Sequence, residues 1–320
     1  MLMELELRHL RAICAIADAG SLSKAAVRLG VSQPALTMLL ARVEDLVGGR
    51  LFVRDRSGAR PTDLGETALR QARLLLADLD AFAADLATRP AGPRSPRIAT
   101  AHLACLSKIV DALEKHFPAG DPTVQVEPST LVLCNLLERS HADLAIICQL
   151  DNQELPLPAD IPRRTIIPKF PFFIALSHDH PLASRPEIAL EDLADERWIC
   201  PPGADDGSLA SLRAMCRKAG FTPKIRFHAP SGGASDLIAA GHAVRLVEPG
   251  SRSQACAIRP LKGDPSTGRL LLAWRRQAFP EEAIRALCHA IGAAYTTHAE
   301  ETATYARWWR SHPEAHPWTA

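Results

Sequence analysis

GSLSKAAVRLGVSQPALTMLLARVEDLVGGRLF, residues 20 to 52, reads as two short helices meeting at a tight turn. Ser23 is placed to cap the first helix, which carries Ala25, Ala26 and Leu29 on one face. Gly30 and Val31 make the bend, because glycine tolerates the backbone angles that end a helix abruptly. Ser32 caps the second helix, and Pro34 sits in its first turn, where a missing N–H costs nothing. Leu36, Leu40, Val43 and Leu46 then form one apolar stripe. Small alanines let the two helices cross closely, which is the geometry of a helix-turn-helix that reads the major groove.

Charge agrees with that reading. Lys24, Arg28, Arg42, Arg50, Arg54, Arg56 and Arg60 stand against only Glu44, Asp45 and Asp55, while the whole chain carries a net charge of +1. A local basic excess on a near-neutral protein suits a module that faces phosphate. After the second helix, Arg50 to Thr62 reads as a strand, a turn at Ser57-Gly58 and a return, so the unit is a winged helix-turn-helix. Arg54, Arg56 and Arg60 would lie beside the DNA backbone or in the minor groove; the alternative is a solvated loop. In front of the pair, Leu7, Leu10, Ile13 and Ala17 predict an amphipathic helix that buries against it.

From Leu5-Glu6-Leu7-Arg8-His9-Leu10 through AAVRLGVSQPAL and LFVRDRSGARPT to Leu64-Gly65-Glu66, and more loosely to about residue 298, the chain resembles the LysR-type transcriptional regulators. The Ala25-Ala26 pair, the run from Val31 to Leu36, and Leu51-Phe52 followed by Arg54 are specific in combination. Phe173 to Ala183, Leu190-Glu191-Asp192-Leu193 and Pro260-Leu261 match less specifically.

The 320 residues, 47% hydrophobic and 23% charged, suffice for two or three compact units. No long apolar stretch predicts a membrane span, and the N-terminus, with Glu4, Glu6, Arg8 and Arg11, does not read as a signal peptide. Eight scattered cysteines without a CxxC pair fit reduced thiols in a cytoplasm and predict no metal site. There is no GxSxG elbow, HExxH or GK[ST] loop, so no catalytic residue and no cofactor is expected.

The organisation expected is multidomain: an all-α winged helix-turn-helix domain (1–62), a linker helix (63–88), a Pro-rich hinge (89–96), an α/β domain (97–298) and a C-terminal extension (299–320). The apolar positions from Leu64 to Leu86 keep a helical period, and a helix over 63–88 would span about 39 Å, too long to stand without a partner. A second copy is the economical one, and the resemblance implies that this linker helix makes the dimer. The extension holds Trp308, Trp309 and Trp318, and either docks or stays disordered. Beyond the hinge, strand and helix alternate as βαβαβ, implying a parallel sheet, and a second run of strands and helices begins near Phe172. The resemblance implies a periplasmic-binding-protein-like effector domain of two subdomains, 97–164 with 267–298 and 165–266, holding a ligand in the cleft between them.

Two glycine-bearing loops, 202–208 and 231–235, precede helices whose free N–H groups suit a small anion, with an ordinary turn and cap as the alternative. Where the family lines its cleft, this chain has His102, Ser129, Thr130, Asp205, Ser208, Ser231, Gly232 and Arg245. It departs from the family at Ala101-His102, where a hydroxyl residue is usual, and at Arg245, where a small apolar one is. Arg245 either favours an anionic effector or points into solvent, so the ligand's charge stays open. Met38 and Leu39 stand where long polar residues are usual.

The reading is a sequence-specific, ligand-responsive transcription factor. Ser23, Ser32, Gln33, Pro34, Thr37, Met38 and Arg42 would face the groove or its phosphates, with Gln33 and Thr37 on bases. Two heads on one dimer imply double-stranded DNA with an interrupted palindrome; the resemblance implies a tetramer and a bent operator, with RNA polymerase a further candidate partner. One alternative is a redox sensor on the same scaffold that uses Cys200 and Cys216. The other is a solute-binding protein or enzyme whose N-terminal module only dimerises.

Overall fold

A computed structural model describes residues 5–55, 58–87, 95–117, 121–150, 153–201, 207–229, 231–276 and 278–317. The N-terminal unit is built from α1 (Leu7–Ala19), α2 (Leu22–Leu29) and α3 (Gln33–Val47), followed by a hairpin of β1 (Phe52–Asp55) and β2 (Gly58–Pro61). Leu36, Leu40 and Val43 are buried with Ala25, Ala26 and Phe52 in one core, each large side chain contributing about 1.5–3 kcal/mol. Gly30 ends α2 with a left-handed φ of 66°.

Three local expectations shift. The cap of α2 is Ser21, so Ser23 lies inside the first turn. Leu29 ends exposed, because the crossing at Ala25 and Ala26 leaves the last turn of so short a helix beyond α3. In α1 the inward face runs through His9, Ala12, Ile13, Ile16 and Ala17, while Leu7 is exposed. The Nδ1 of His9 accepts the N–H of Glu6 at 3.0 Å, so its polar atom is met and the ring can face inward where a leucine was expected.

Thr62 opens α4 (Asp63–Ala87), its Oγ1 accepting the N–H of Gly65 at 3.0 Å. Leu69 and Ala72 join the N-terminal core, and Ala77 packs on the core of the following domain. Leu64, Leu75 and Phe82 remain exposed. The helix thus packs partly on its own chain and keeps a stripe uncovered. The last residue of the expected linker helix, 88, and residues 89–94 of the hinge lie outside the described residues.

The next domain begins as β3 (Arg97–Thr100), α5 (Leu106–His116), β4 (Thr123–Val126), α6 (Thr130–Glu138) and β5 (Leu144–Leu150), the βαβαβ unit the sequence predicts. β6 (Arg163–Pro171) leads to β7 (Phe173–Ser177), β8 (Arg197–Cys200), α7 (Ser208–Lys218), β9 (Lys224–His228), α8 (Ser231–Ala239), β10 (Arg245–Val247) and β11 (Cys256–Arg259). β12 (Thr267–Trp274) and α9 (Glu281–Glu301) return to the first subdomain. Its sheet has the order β4-β3-β5-β12-β6, with β12 antiparallel to both neighbours. The expected subdomain boundary at 164/165 falls inside β6, which pairs with β12 from Arg163 to Pro171. In the second subdomain β10-β7-β11 and the parallel pair β8-β9 are linked by a bridge between Trp198 and Val244.

The extension docks. A helix, α10 (Ala303–Ser311), and a 3₁₀ turn, Pro313–Ala315, place Tyr305, Trp308, Trp309 and Ala315 in the core of the first subdomain. Trp308 donates its indole N–H to Asp264 at 2.9 Å and stacks on His312. Tyr305 meets Phe173 edge-on and shares a 3.1 Å hydrogen bond with Tyr295. Trp318 lies outside the described residues. Among the described residues no helix is long and apolar enough to cross a membrane.

Candidate nucleic-acid interface and ligand cleft

The α3 stripe that is buried decides which side of the helix is offered outward. Ser32 caps α3 by accepting the N–H of Ala35 at 3.3 Å, and Pro34 fills the first turn. With Leu36 and Leu40 inward, Gln33, Pro34, Met38 and Arg42 are exposed and Thr37 is half-buried. Lys24, Arg28 and Arg50 are exposed on the same unit. Ser23 is also exposed, and its hydroxyl donates to Oε1 of Gln33 at 3.0 Å, so one expected contact residue orients another.

Glu44, an acid inside this basic segment, has a structural task. Its Oε1 accepts the N–H groups of Leu51 (2.8 Å) and Phe52 (3.2 Å), fixing where the wing leaves the reading helix. Arg54 lies on β1, opposite Ala59, with its side chain outside the described residues, as is all of Arg56. Arg60 is half-buried on β2. The His228 imidazole at the end of β9 is held below its ordinary pKa by burial first and by the Arg60 charge second.

Behind the reading head, Arg73 of α4 donates to Asp18 of α1 at 2.8 Å. Burial opposes the charge of Arg73, but Asp18 and Glu127 outweigh it and hold the guanidinium protonated. A cavity of about 470 Å³ lies there, between α1, α4 and the β3–β4 edge. Glu127 in turn accepts the N–H of Ser129 at 2.9 Å, and Ser129 caps α6 by accepting the N–H of Val132 at 3.2 Å. Charges and hydrogen bonds thus run from α1 to the head of α6.

Four of the expected cleft positions follow carboxyl ends of parallel strands: His102 after β3, Ser129 after β4, Ser208 after β8 and Ser231 after β9. That edge is where open α/β sheets take ligands. His102 is exposed; Ser129 is buried; Thr130 is half-buried, its hydroxyl donating to the carbonyl of Cys148 at 3.4 Å. Ser208 is the first residue of α7. The stretch 231–235, expected as a loop ahead of a helix, is itself the start of α8, because its small residues fit the helix's first turn; the Ser231 side chain lies outside the described residues, as does all of Asp205. Arg245 opens β10 opposite Ala175, at the other end of that strand from the carboxyl edge.

Two contacts draw the subdomains together beside these positions. The Glu248 carboxylate, after β10, accepts the N–H of Ala104 ahead of α5 at 2.8 Å. Burial pushes its pKa up to about 7. Next to it, the Gly250 carbonyl is hydrogen-bonded to His298 at 2.8 Å. Across the cleft, Gly207 at the head of α7 has φ 76°, and a side chain there would collide with the amide of Gln153. Only glycine serves, by conformation and by space. The sequence carries no local signal for Glu248 or Gln153, because each finds its partner across the chain.

Comparison with known proteins bears on both halves. Residues 7–66 match the family model described as "Bacterial regulatory helix-turn-helix protein, lysR family", and residues 97–295 match "LysR substrate binding domain". The small neutral protease regulatory protein of Streptomyces coelicolor is 39% identical over 308 residues, covering 96% of this chain and 92% of the relative. That of Streptomyces lividans is 38% identical, covering 96% and 87%. BudR of Raoultella terrigena is 30% identical over 85% of this chain and 95% of its own. Among solved structures, a cysteine mutant of Corynebacterium glutamicum OxyR superposes with a TM-score of 0.56 at 20% identity, covering 93% and 94% of the two chains. CbnR superposes at 0.51 with 22% identity, covering 89% and 100%. At such identities the structural likeness speaks for the fold alone.

Proposed function

The chain belongs to the LysR family of transcriptional regulators, DNA-binding proteins with an effector-binding domain, and on that premise we propose that it controls a gene for a small neutral protease. The relatives of that name, matched over nearly their whole length, support the target. The observation that carries the DNA-reading assignment is α3, whose buried stripe leaves Gln33, Met38 and Arg42 outward beside an exposed basic surface. In this reading Gln33 and Thr37 touch bases, while Ser23, Ser32, Pro34, Met38 and Arg42 position the helix and the wing arginines Arg54, Arg56 and Arg60 add sequence-independent affinity.

The exposed Leu64, Leu75 and Phe82 of α4 support pairing with a second copy, which sets two reading heads on an interrupted palindrome. A small effector sits at the carboxyl edges of the strands, beside His102, Ser129, Thr130, Ser208 and Ser231, with Gly232 next to Ser231 in the first turn of α8 and Asp205 a few residues ahead of Ser208 in sequence; Arg245 stands off that edge. The effector acts by preferring one arrangement of the subdomains over another. The protein works in the cytoplasm, where its operator is. The redox alternative is weakened by Cys216, whose thiol burial first, and Cys200 second, push up to about 12, so it is no reactive thiolate.

A footprint of the full chain on DNA upstream of its own gene and of a small neutral protease gene, across salt, tests this. A two-part palindromic site is expected. No protection at low salt by folded dimer would overturn the reading.

A further inference from the structure

The sheet of the first subdomain has a second concave surface, which starts at the carboxyl end of β5 and runs over the outer strands β12 and β6. A cavity of about 690 Å³ opens over the ends of β5, β6 and β12, and none of the cleft positions named above lines it. Its walls carry two arginines, Arg163 on β6 and Arg269 on β12. Neutral polar groups surround them: Thr165, which pairs with Leu271; Gln149, which pairs with Arg269 and donates one amide N–H to the Gln153 carbonyl at 2.6 Å; and Gln153. Among the described residues that line it, Glu154 supplies the one carboxylate, exposed to solvent at the rim.

The state of Arg269 is informative. Its Nε is buried and has no hydrogen-bond partner among the described residues. A guanidinium N–H withdrawn from bulk water and left unmet is unfavourable, and proteins seldom retain one without a ligand or water to accept it. No acidic side chain is ion-paired with Arg163 or Arg269 among the described residues, whereas Arg97, Arg73 and Arg139 all have carboxylate partners. Two guanidinium forks over one polar hollow match a carboxylate, which takes parallel N–H bonds from an arginine.

We propose that this hollow is a second ligand site, taking a small organic carboxylate whose charged end is held by Arg269 and Arg163 while Thr165 and Gln149 fix its orientation. The hollow is several times larger than one carboxylate group needs, so the remainder of the ligand lies over Leu271 and Leu155. Gln153 connects the hollow to the rest of the domain. It lines the cavity and at the same time packs on Gly207 at the head of α7, so occupancy bears on how closely the two subdomains approach.

Isothermal titration of the full chain with succinate is the test. Saturable binding is expected, weakened at least tenfold in Arg269→Gln and in Arg163→Gln, and unchanged in His102→Ala. Arg269→Lys, which keeps the charge but loses the fork, should weaken binding without disturbing the fold, as read from the circular dichroism spectrum. Absence of saturable succinate binding, or binding by folded Arg269→Lys and Arg269→Gln as tight as the parent's, overturns the site. Binding lost in His102→Ala but kept in the arginine variants places succinate in the cleft and overturns it too. Inorganic phosphate binding as tightly, with the same arginine dependence, overturns the carboxylate assignment. The footprint on the operator is independent of all these outcomes.

Discussion

The Ser23 hydroxyl and the Gln33 side-chain oxygen are joined by a 3.0 Å hydrogen bond across the turn between α2 and α3. With its oxygen engaged, the amide of Gln33 turns its two N–H donors in a fixed direction, toward acceptors such as N7 of a purine. Gln33→Ala is therefore predicted to lower discrimination between operator and scrambled DNA by about 1–3 kcal/mol, roughly 5- to 150-fold. Ser23→Ala should lose less, because only orientation is removed. Neither should alter the slope of affinity against salt, read by fluorescence anisotropy; a changed slope in either would mean that phosphate was the partner.

Phe82 and Leu75 lie seven residues apart on α4 and both are exposed. If a second copy covers them, Phe82→Glu puts a charge into an apolar seam. Sedimentation should then show monomer where the parent chain is dimeric, with the circular dichroism spectrum retained. Operator affinity should fall with it, since each half-site would have to be found separately. An unchanged dimer would move the interface elsewhere.

Glu248 makes stability depend on pH in an unusual direction. Its pKa rises from the ordinary 4.5 to about 7 in the folded chain, so the native state holds a proton that the unfolded chain releases. Between those values stability falls as pH rises, and above about 7 the full penalty, up to about 3 kcal/mol, is present. Glu248→Gln keeps an acceptor for the Ala104 N–H and has nothing to titrate. Its melting temperature should exceed the parent's at pH 8 and match it near pH 4.5. Equal pH profiles for both proteins would count against a buried carboxyl at this junction.

Trp309 is fully buried against Tyr295 and His316. Trp309→Ala is predicted to destabilise the effector domain by about 3–5 kcal/mol in urea denaturation. Truncation after Glu301 removes Tyr305 and Trp308 as well and should leave that domain poorly folded. A truncated domain as stable as the parent would reduce the extension to decoration.

The sequence made some of this legible because the information was local. Leu36, Leu40 and Val43 repeat within one helix, and Ser32 caps the residues that follow it, so α3 and its outward face could be read from three turns of chain. The LysR resemblance was equally local, carried together by Ala25-Ala26, the run from Val31 to Leu36, and Leu51-Phe52 followed by Arg54. What escaped depends on distant partners. β6 is half of a pair with β12, a hundred residues on, and the strand begins with two arginines, which hid it from a search for apolar runs. Whether the tail docks turns on Asp264 and Phe173, which meet Trp308 and Tyr305 only in the folded chain. Among the cleft residues, positions after strands were readable, but Glu248 is buried at a junction whose hydrogen-bond partner, the Ala104 N–H, lies 144 residues earlier.

The docked tail also bears on the order of events during synthesis. The core of the effector domain draws on residues from Ile98 to Ala315, so it cannot be completed until translation has passed Ala315 and that residue has cleared the ribosome. The reading head draws its core from residues 12 to 72 and is whole long before that. A nascent chain thus carries a finished DNA-binding head on an unfinished sensor, and early termination releases a head that no ligand controls.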